Sequence, residues 1–170
     1  MMMGLVLCLT NRPARGIEEL ERALAIDPNL AAAHGHIGFA HSLIGRAQEA
    51  EAHLHKALRL SPRDPLTWSW FVQIGGAKAY LGEFEDALPW LRKSIDANRN
   101  SPWAFLYLAA CLAHLGRPDE ARREVRAALA VNPNFTVQRY LAHVQSDNAV
   151  YLAQRERVAE GMRMAGVPEE

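Results

Sequence analysis

The sequence has no surplus of either charge: 19 lysine and arginine residues face 19 aspartate and glutamate residues in a chain of 170. The long-range field that would draw in nucleic acid or an anionic membrane surface is therefore missing, and neither is expected as a partner. Cysteine is scarce. Cys8 and Cys111 sit far apart in apolar runs, which leaves no disulfide framework and no metal knuckle. Nor is there an apolar stretch approaching the roughly 20 residues that span a bilayer. The opening "MMMGLVLCLT" has neither the basic start nor the small-residue cleavage site of a signal peptide, so the expected compartment is the cytoplasm. What the chain does have is ordinary globular composition, 49% hydrophobic and 22% charged, enough for a domain with an extended core.

The informative feature is recurrence. "LIGRAQEAEAHLHKALRLSP" returns in looser form as "HLGRPDEARREVRAALAVNP". Aligned on Gly45, Gly82 and Gly116, the same offsets recover small residues at Ala50, Ala87 and Ala121, bulky ones at Leu54, Leu91 and Val125, and small ones again at Ala57, Ser94 and Ala128. Seven positions before each turn glycine stand Gly38, Gly75 and Ala109. Run backward, the register fits an earlier unit through Gly4, Asn11, Gly16, Leu20, Ala23 and Pro28. Small side chains at two positions let antiparallel helices approach closely, and a large one fills the gap to the next pair.

These residues resemble the tetratricopeptide repeat, a helix-turn-helix unit of about 34 residues. The resemblance implies an all-α, right-handed superhelical solenoid of antiparallel helix pairs. It predicts an array over 1–133, divided near 1–28, 29–62, 63–99 and 100–133 with the first unit truncated, and C-terminal capping helices over 134–170. Helices are expected near 2–10, 13–26, 30–43, 47–60, 65–81, 84–97, 102–115, 118–131, 134–145 and 149–165. Asp64 and Ser101 are read as caps ahead of Pro65 and Pro102 at first helical positions. The third unit carries three extra residues, assigned to an added turn within "WSWFVQI". In the tail, Tyr151, Val158, Met162 and Ala165 share a face, read either as a structural cap or as a partner-binding helix. The truncated start leaves apolar positions such as Met3 and Leu7 without a neighbour. A narrower likeness rests on "LSPRDPLTW", "NPNFTVQRY" and the tail. These are similar to the C-terminal region of bacterial signalling proteins that join a class III cyclase or a winged-helix domain to such repeats.

No catalytic constellation survives this register. His34 and His36 point apart on a helix, as do His53 and His55, so neither pair chelates a metal, and only a cross-helix site at His36 or His41 stays open. "GGAK" at Gly75 falls inside a helix and lacks the rest of a phosphate loop. No enzyme activity, metal or cofactor is expected. Arg122, Arg123 and Arg126 lie among Asp119, Glu120 and Glu124, the pattern of a solvated helix face. RNA-reading repeats have a different period and would need basic character.

The resemblance places the binding surface on the first helix of each pair. That gives His36, Phe39 and Ser42, then Ser69, Gln73 and Tyr80, then Trp103, Tyr107 and His114. Family members that receive acidic chaperone tails hold the carboxylate with lysine, arginine and asparagine at such positions. None of those types is in this set, so an acidic C-terminus is not expected here. The expected partner is a protein or peptide held by aromatic and apolar contacts, unless these aromatics pack against the chain's own terminal helices. Self-association through the truncated first repeat, giving a homodimer, is the alternative.

Overall fold

The structure, a computed structural model, describes residues 2–170; residue 1, where the first repeat was expected to begin, lies outside the described residues. Among them are ten helices and no strands. They are α1 (Met2–Leu9), α2 (Pro13–Ile26), α3 (Ala31–Leu43), α4 (Ala47–Leu60), α5 (Thr67–Leu81), α6 (Phe84–Ala97), α7 (Pro102–His114), α8 (Pro118–Val131), α9 (Val137–Ala142) and α10 (Ala149–Ala165). The first eight form four antiparallel pairs, each packed on the next. First helices also touch one another, α1 on α3, α3 on α5 and α5 on α7, whereas second helices do not approach to the same extent. The stack is a solenoid with its first helices on the inside.

One device builds each pair. A Cβ added at Gly4, Gly38 or Gly75 would lie 2.6, 2.7 and 2.5 Å from Cγ of Leu20, Leu54 and Leu91 respectively. Each leucine of a second helix is therefore seated in a notch that only glycine leaves. In the fourth pair Ala109 and Val125 occupy the same places, both buried. Ala50, Ala57, Ala87, Ala121 and Ala128 are fully buried at the crossings. Ser94 replaces alanine because its hydroxyl, buried with it, donates to the Trp68 carbonyl at 2.8 Å. The turns repeat as faithfully: Gly45, Gly82 and Gly116 have φ of 77°, 83° and 70°, and Asn11 holds the equivalent place at 57°. Asparagine is among the few non-glycine residues that tolerate this left-handed region.

Three local expectations need correction. Asp64 does not cap a helix beginning at Pro65; its carboxylate accepts from the Leu66 amide at 2.8 Å in a turn, and α5 starts at Thr67. Ser101 makes no capping hydrogen bond, and its hydroxyl is buried without a partner. The three-residue insertion does not all enter a helical turn: α5 has 15 residues against 13 in α3 and α7, and the remainder is absorbed at its ends.

The tail departs further from expectation. The helix expected over 134–145 shrinks to six residues, capped by the Thr136 hydroxyl. Helix α10, capped by Asn148, does not continue the stack; it lies along α7 and reaches α5, inside the curve. Gly161 permits this, since a Cβ there would sit 2.7 Å from the Ala110 carbonyl oxygen. Polar contacts pin the tail to successive turns of the array. The Asp147 amide donates to Asn11 Oδ1 at 3.1 Å, Asn148 and Val150 lie against Gly45, and Arg157 donates to the Tyr80 carbonyl at 2.9 Å. Tyr151, Val158, Met162 and Ala165 are all buried by this arrangement.

Candidate functional site

Between the first helices and the tail is a cavity of about 270 Å³. Six of the nine groove residues read from the sequence line it: Phe39 and Ser42 from α3, Gln73 and Tyr80 from α5, and Trp103 and Tyr107 from α7. The period explains why they meet, since equivalent positions of successive pairs point into the same curve. The other three are placed elsewhere. His36 is half-buried on α3, and the Ser69 hydroxyl donates to the Leu66 carbonyl at 2.7 Å. His114 stacks on Phe84, ring centroids 4.3 Å apart, and donates to the Arg157 carbonyl at 2.9 Å, so the tail has taken it.

The tail contributes Tyr140, His143, Gln145, Tyr151 and Arg155 to the same cavity. Arg155 is the one that changes the chemistry. It is only 5% exposed, and among the described residues no carboxylate lies within ion-pairing distance of it. Its guanidinium lies 4.2 Å from the ring centroid of Tyr140 and donates to the Tyr151 hydroxyl at 3.0 Å and to the Tyr140 carbonyl. Cation–π contact and these hydrogen bonds offset part of the cost of burying the charge. Tyr80 and Tyr107 are hydrogen-bonded through their hydroxyls at 2.8 Å. Burial pushes the pKa of Tyr80, Tyr107 and Tyr140 well above the usual phenol value, which keeps all three protonated as potential donors. The Tyr140 hydroxyl and Gln73 Oε1 are buried without hydrogen-bond partners. None of the nine residues read from the sequence is a lysine or arginine, and Arg155 adds a cation to the cavity that six of them line. The missing cation arrives from outside the repeats.

Away from the cavity, His34, His41 and His53 stack between α3 and α4, with His53 ring centroids 5.5 and 5.4 Å from those of the other two. His34 Nε2 donates to the Pro28 carbonyl, so its Nδ1 accepts from His53 Nδ1 at 3.3 Å. Burial lowers the pKa of all three. Among the described residues no group of three histidine, cysteine or acidic side chains has metal-holding geometry. The segment "GGAK" lies within α5, where Gly75 receives Leu91 and Gly76 faces Tyr107. On α8 Arg122, Arg123, Arg126 and Asp119 are exposed and Glu120 and Glu124 half-buried, with local pairs of Arg122 with Asp119 at 2.6 Å and Arg123 with Glu120 at 3.7 Å.

Two family models described as tetratricopeptide repeat match the chain, one over residues 29–100 and one over 79–144. The chain carries tetratricopeptide repeats. Solved structures with the same architecture include YrrB, described as a TPR protein with an unusual peptide-binding site. It is 26% identical, with 95% of this chain and 80% of that one covered and a TM-score of 0.64. MamA is 19% identical, covering 91% and 86%, with a TM-score of 0.66. A MamA fragment from Desulfovibrio magneticus RS-1 is 16% identical, covering 91% and 88%, also at 0.66. The MamA likenesses speak for the fold alone. No curated protein matches the chain. Tetratricopeptide arrays are protein-interaction scaffolds and generally noncatalytic. Among the described residues no helix is long and apolar enough to cross a membrane.

Proposed function

We propose that this protein is a noncatalytic interaction scaffold whose array, residues 1–133, offers the first-helix groove to a protein or peptide while the tail, residues 134–170, lies in part of that groove and walls one side of it. The observation that carries the reading is convergence: Phe39, Gln73, Tyr80, Trp103 and Tyr107, from three successive pairs, meet at one cavity. Aromatic side chains in a partly enclosed, largely apolar concavity are the usual energetic centre of a binding surface. The peptide-binding site named for YrrB supports the same reading. The working compartment is the cytoplasm.

A role as the regulatory segment of a larger bacterial signalling protein, cyclase-like or winged-helix, rests on the loop and tail sequences quoted above and on nothing in the family models or structural neighbours. The test of the groove is to select peptides from a displayed random library on the full chain and remeasure them against Trp103→Ala. Affinity should fall about tenfold for a central aromatic contact, with helicity unchanged. Peptides that bind both proteins equally would remove the groove from the account.

A second reading, self-association through α1, is favoured by Met2, Met3, Val6 and Leu9, which are 81%, 65%, 54% and 49% exposed on one short helix. Sedimentation across a wide concentration range separates the two, since a monomer throughout contradicts self-association.

A further inference from the structure

Arg155 poses a problem that the scaffold reading leaves unsolved. A guanidinium has five N–H donors, and its hydrogen bonds to the Tyr151 hydroxyl and the Tyr140 carbonyl engage two. The charge is nine-tenths buried, faces the cavity and meets no carboxylate. A purely structural link between α9 and α10 needs neither the remaining donors nor a cavity beside them. The Tyr140 hydroxyl on the same wall is also buried and unpartnered. One side of the lining is apolar or aromatic, with Phe39, Leu43, Val72 and Trp103, while Ser42, Gln73, His143 and Gln145 add polar groups and no carboxylate. A planar, fixed fork of donors beside an apolar chamber is complementary to one carboxylate with an apolar body attached. At about 270 Å³ the chamber falls just under the roughly 300 Å³ at which small-molecule pockets begin, so the body is small.

We propose that the cavity between the first helices and the tail is a receptor for a small organic monocarboxylate, its carboxylate on Arg155 and its apolar or aromatic body among Phe39, Val72 and Trp103. The inference rests on the same cavity being open to a ligand, as the proposed function does. It adds that the occupant is an acid, and that α10, which brings Arg155, is a working part of the site. A dianion fits poorly, because a single buried cation would leave one charge uncompensated.

The experiment titrates the full chain with phenylacetate, phenylacetamide and inorganic phosphate, read by calorimetry. Phenylacetate should bind about tenfold or more tighter than its neutral amide, as a charge-assisted hydrogen bond implies, and tighter than phosphate, which has no apolar body. Arg155→Met should abolish the preference for the acid. Because that variant leaves a buried site without its cation and can fail to fold, Tyr140→Phe serves as the second. It removes a hydroxyl that makes no well-formed hydrogen bond, though it lies beside those of Tyr80 and Tyr107, so the melting temperature should change little while phenylacetate affinity falls about threefold. Equal binding of acid and amide, absence of binding by either, or tighter binding of phosphate overturns the proposal. Selected peptides that depend on Trp103 but ignore the acid would sink this inference and leave the scaffold reading standing.

Discussion

Two close approaches in this molecule use the same residue and teach different things. At Gly38 a first helix admits Leu54 of its own partner, and the arrangement recurs at Gly4 with Leu20 and Gly75 with Leu91. At Gly161 the tail presses α10 against the backbone of α7 at Ala110, a contact between the tail and a first helix and not between the two helices of a pair. The first kind builds a stack in which each pair depends on its neighbours. The second fastens a lone helix inside the curve and gives the groove a cation that the repeats do not have.

The comparison is broken most severely at Leu54. Leu54→Ala should cost about 2–5 kcal/mol through the cavity it leaves, measured by denaturant unfolding, with damage reaching α2 and α5 as well as α3. Smaller, and diagnostic, is a matched pair of overpacking changes. Ala50→Leu and Gly161→Leu should each cost about 1–3 kcal/mol. Amide exchange should then differ: Ala50→Leu loosens the pairs on either side, while Gly161→Leu frees α10 and leaves α1–α6 protected. If both loosened the whole chain alike, the tail would be part of the stack.

Acid should act on one region only. Burial holds the pKa of His34, His36, His41 and His53 below the ordinary 6.5. The folded chain therefore binds fewer protons than the unfolded one as pH passes down through that value, and stability falls as pH is lowered through it. Exchange protection should drop in α3 and α4 before α7 and α10; a uniform loss would contradict the assignment. Least in free energy is the behaviour of the thiols. Burial pushes Cys8 up to about 11 and Cys111 up to about 12, so almost no thiolate exists near neutral pH. Aromatic disulfide reagents should label both slowly, Cys8 first because α1 is covered on one side only, and Cys111 only when α7 and α10 separate.

How much of this could be read in advance follows from the same contrast. Position in the array was legible because several copies average out accident: the turn glycines, the equivalent Asn11, and six of the cavity residues all come from one register. The insertion and the Asp64 turn were less legible because each occurs once, and sequence spacing does not say whether an extra residue enters a helix or a loop. For the tail, amphipathicity gave the face carrying Tyr151, Val158, Met162 and Ala165 but not what that face meets. Arg155 lies on that stripe, four residues after Tyr151 and three before Val158. A charge on an apolar face was the available signal, and it signifies a site only once α5 and α7 are known to stand opposite. His114 misled for a related reason: its groove position is real, but α10 occupies it.

Everything distinctive about the site depends on α10 lying in the groove. The most direct test is a proton–proton contact in solution between Gly161 Hα and the Ala110 methyl group, since a Cβ at Gly161 would stand 2.9 Å from that methyl carbon. A strong nuclear Overhauser effect between them is the predicted result for the unmodified chain. Its absence, with the contacts of Gly38 to Leu54 and Gly75 to Leu91 intact, would leave the solenoid standing and remove the tail, Arg155 and the closed cavity from it.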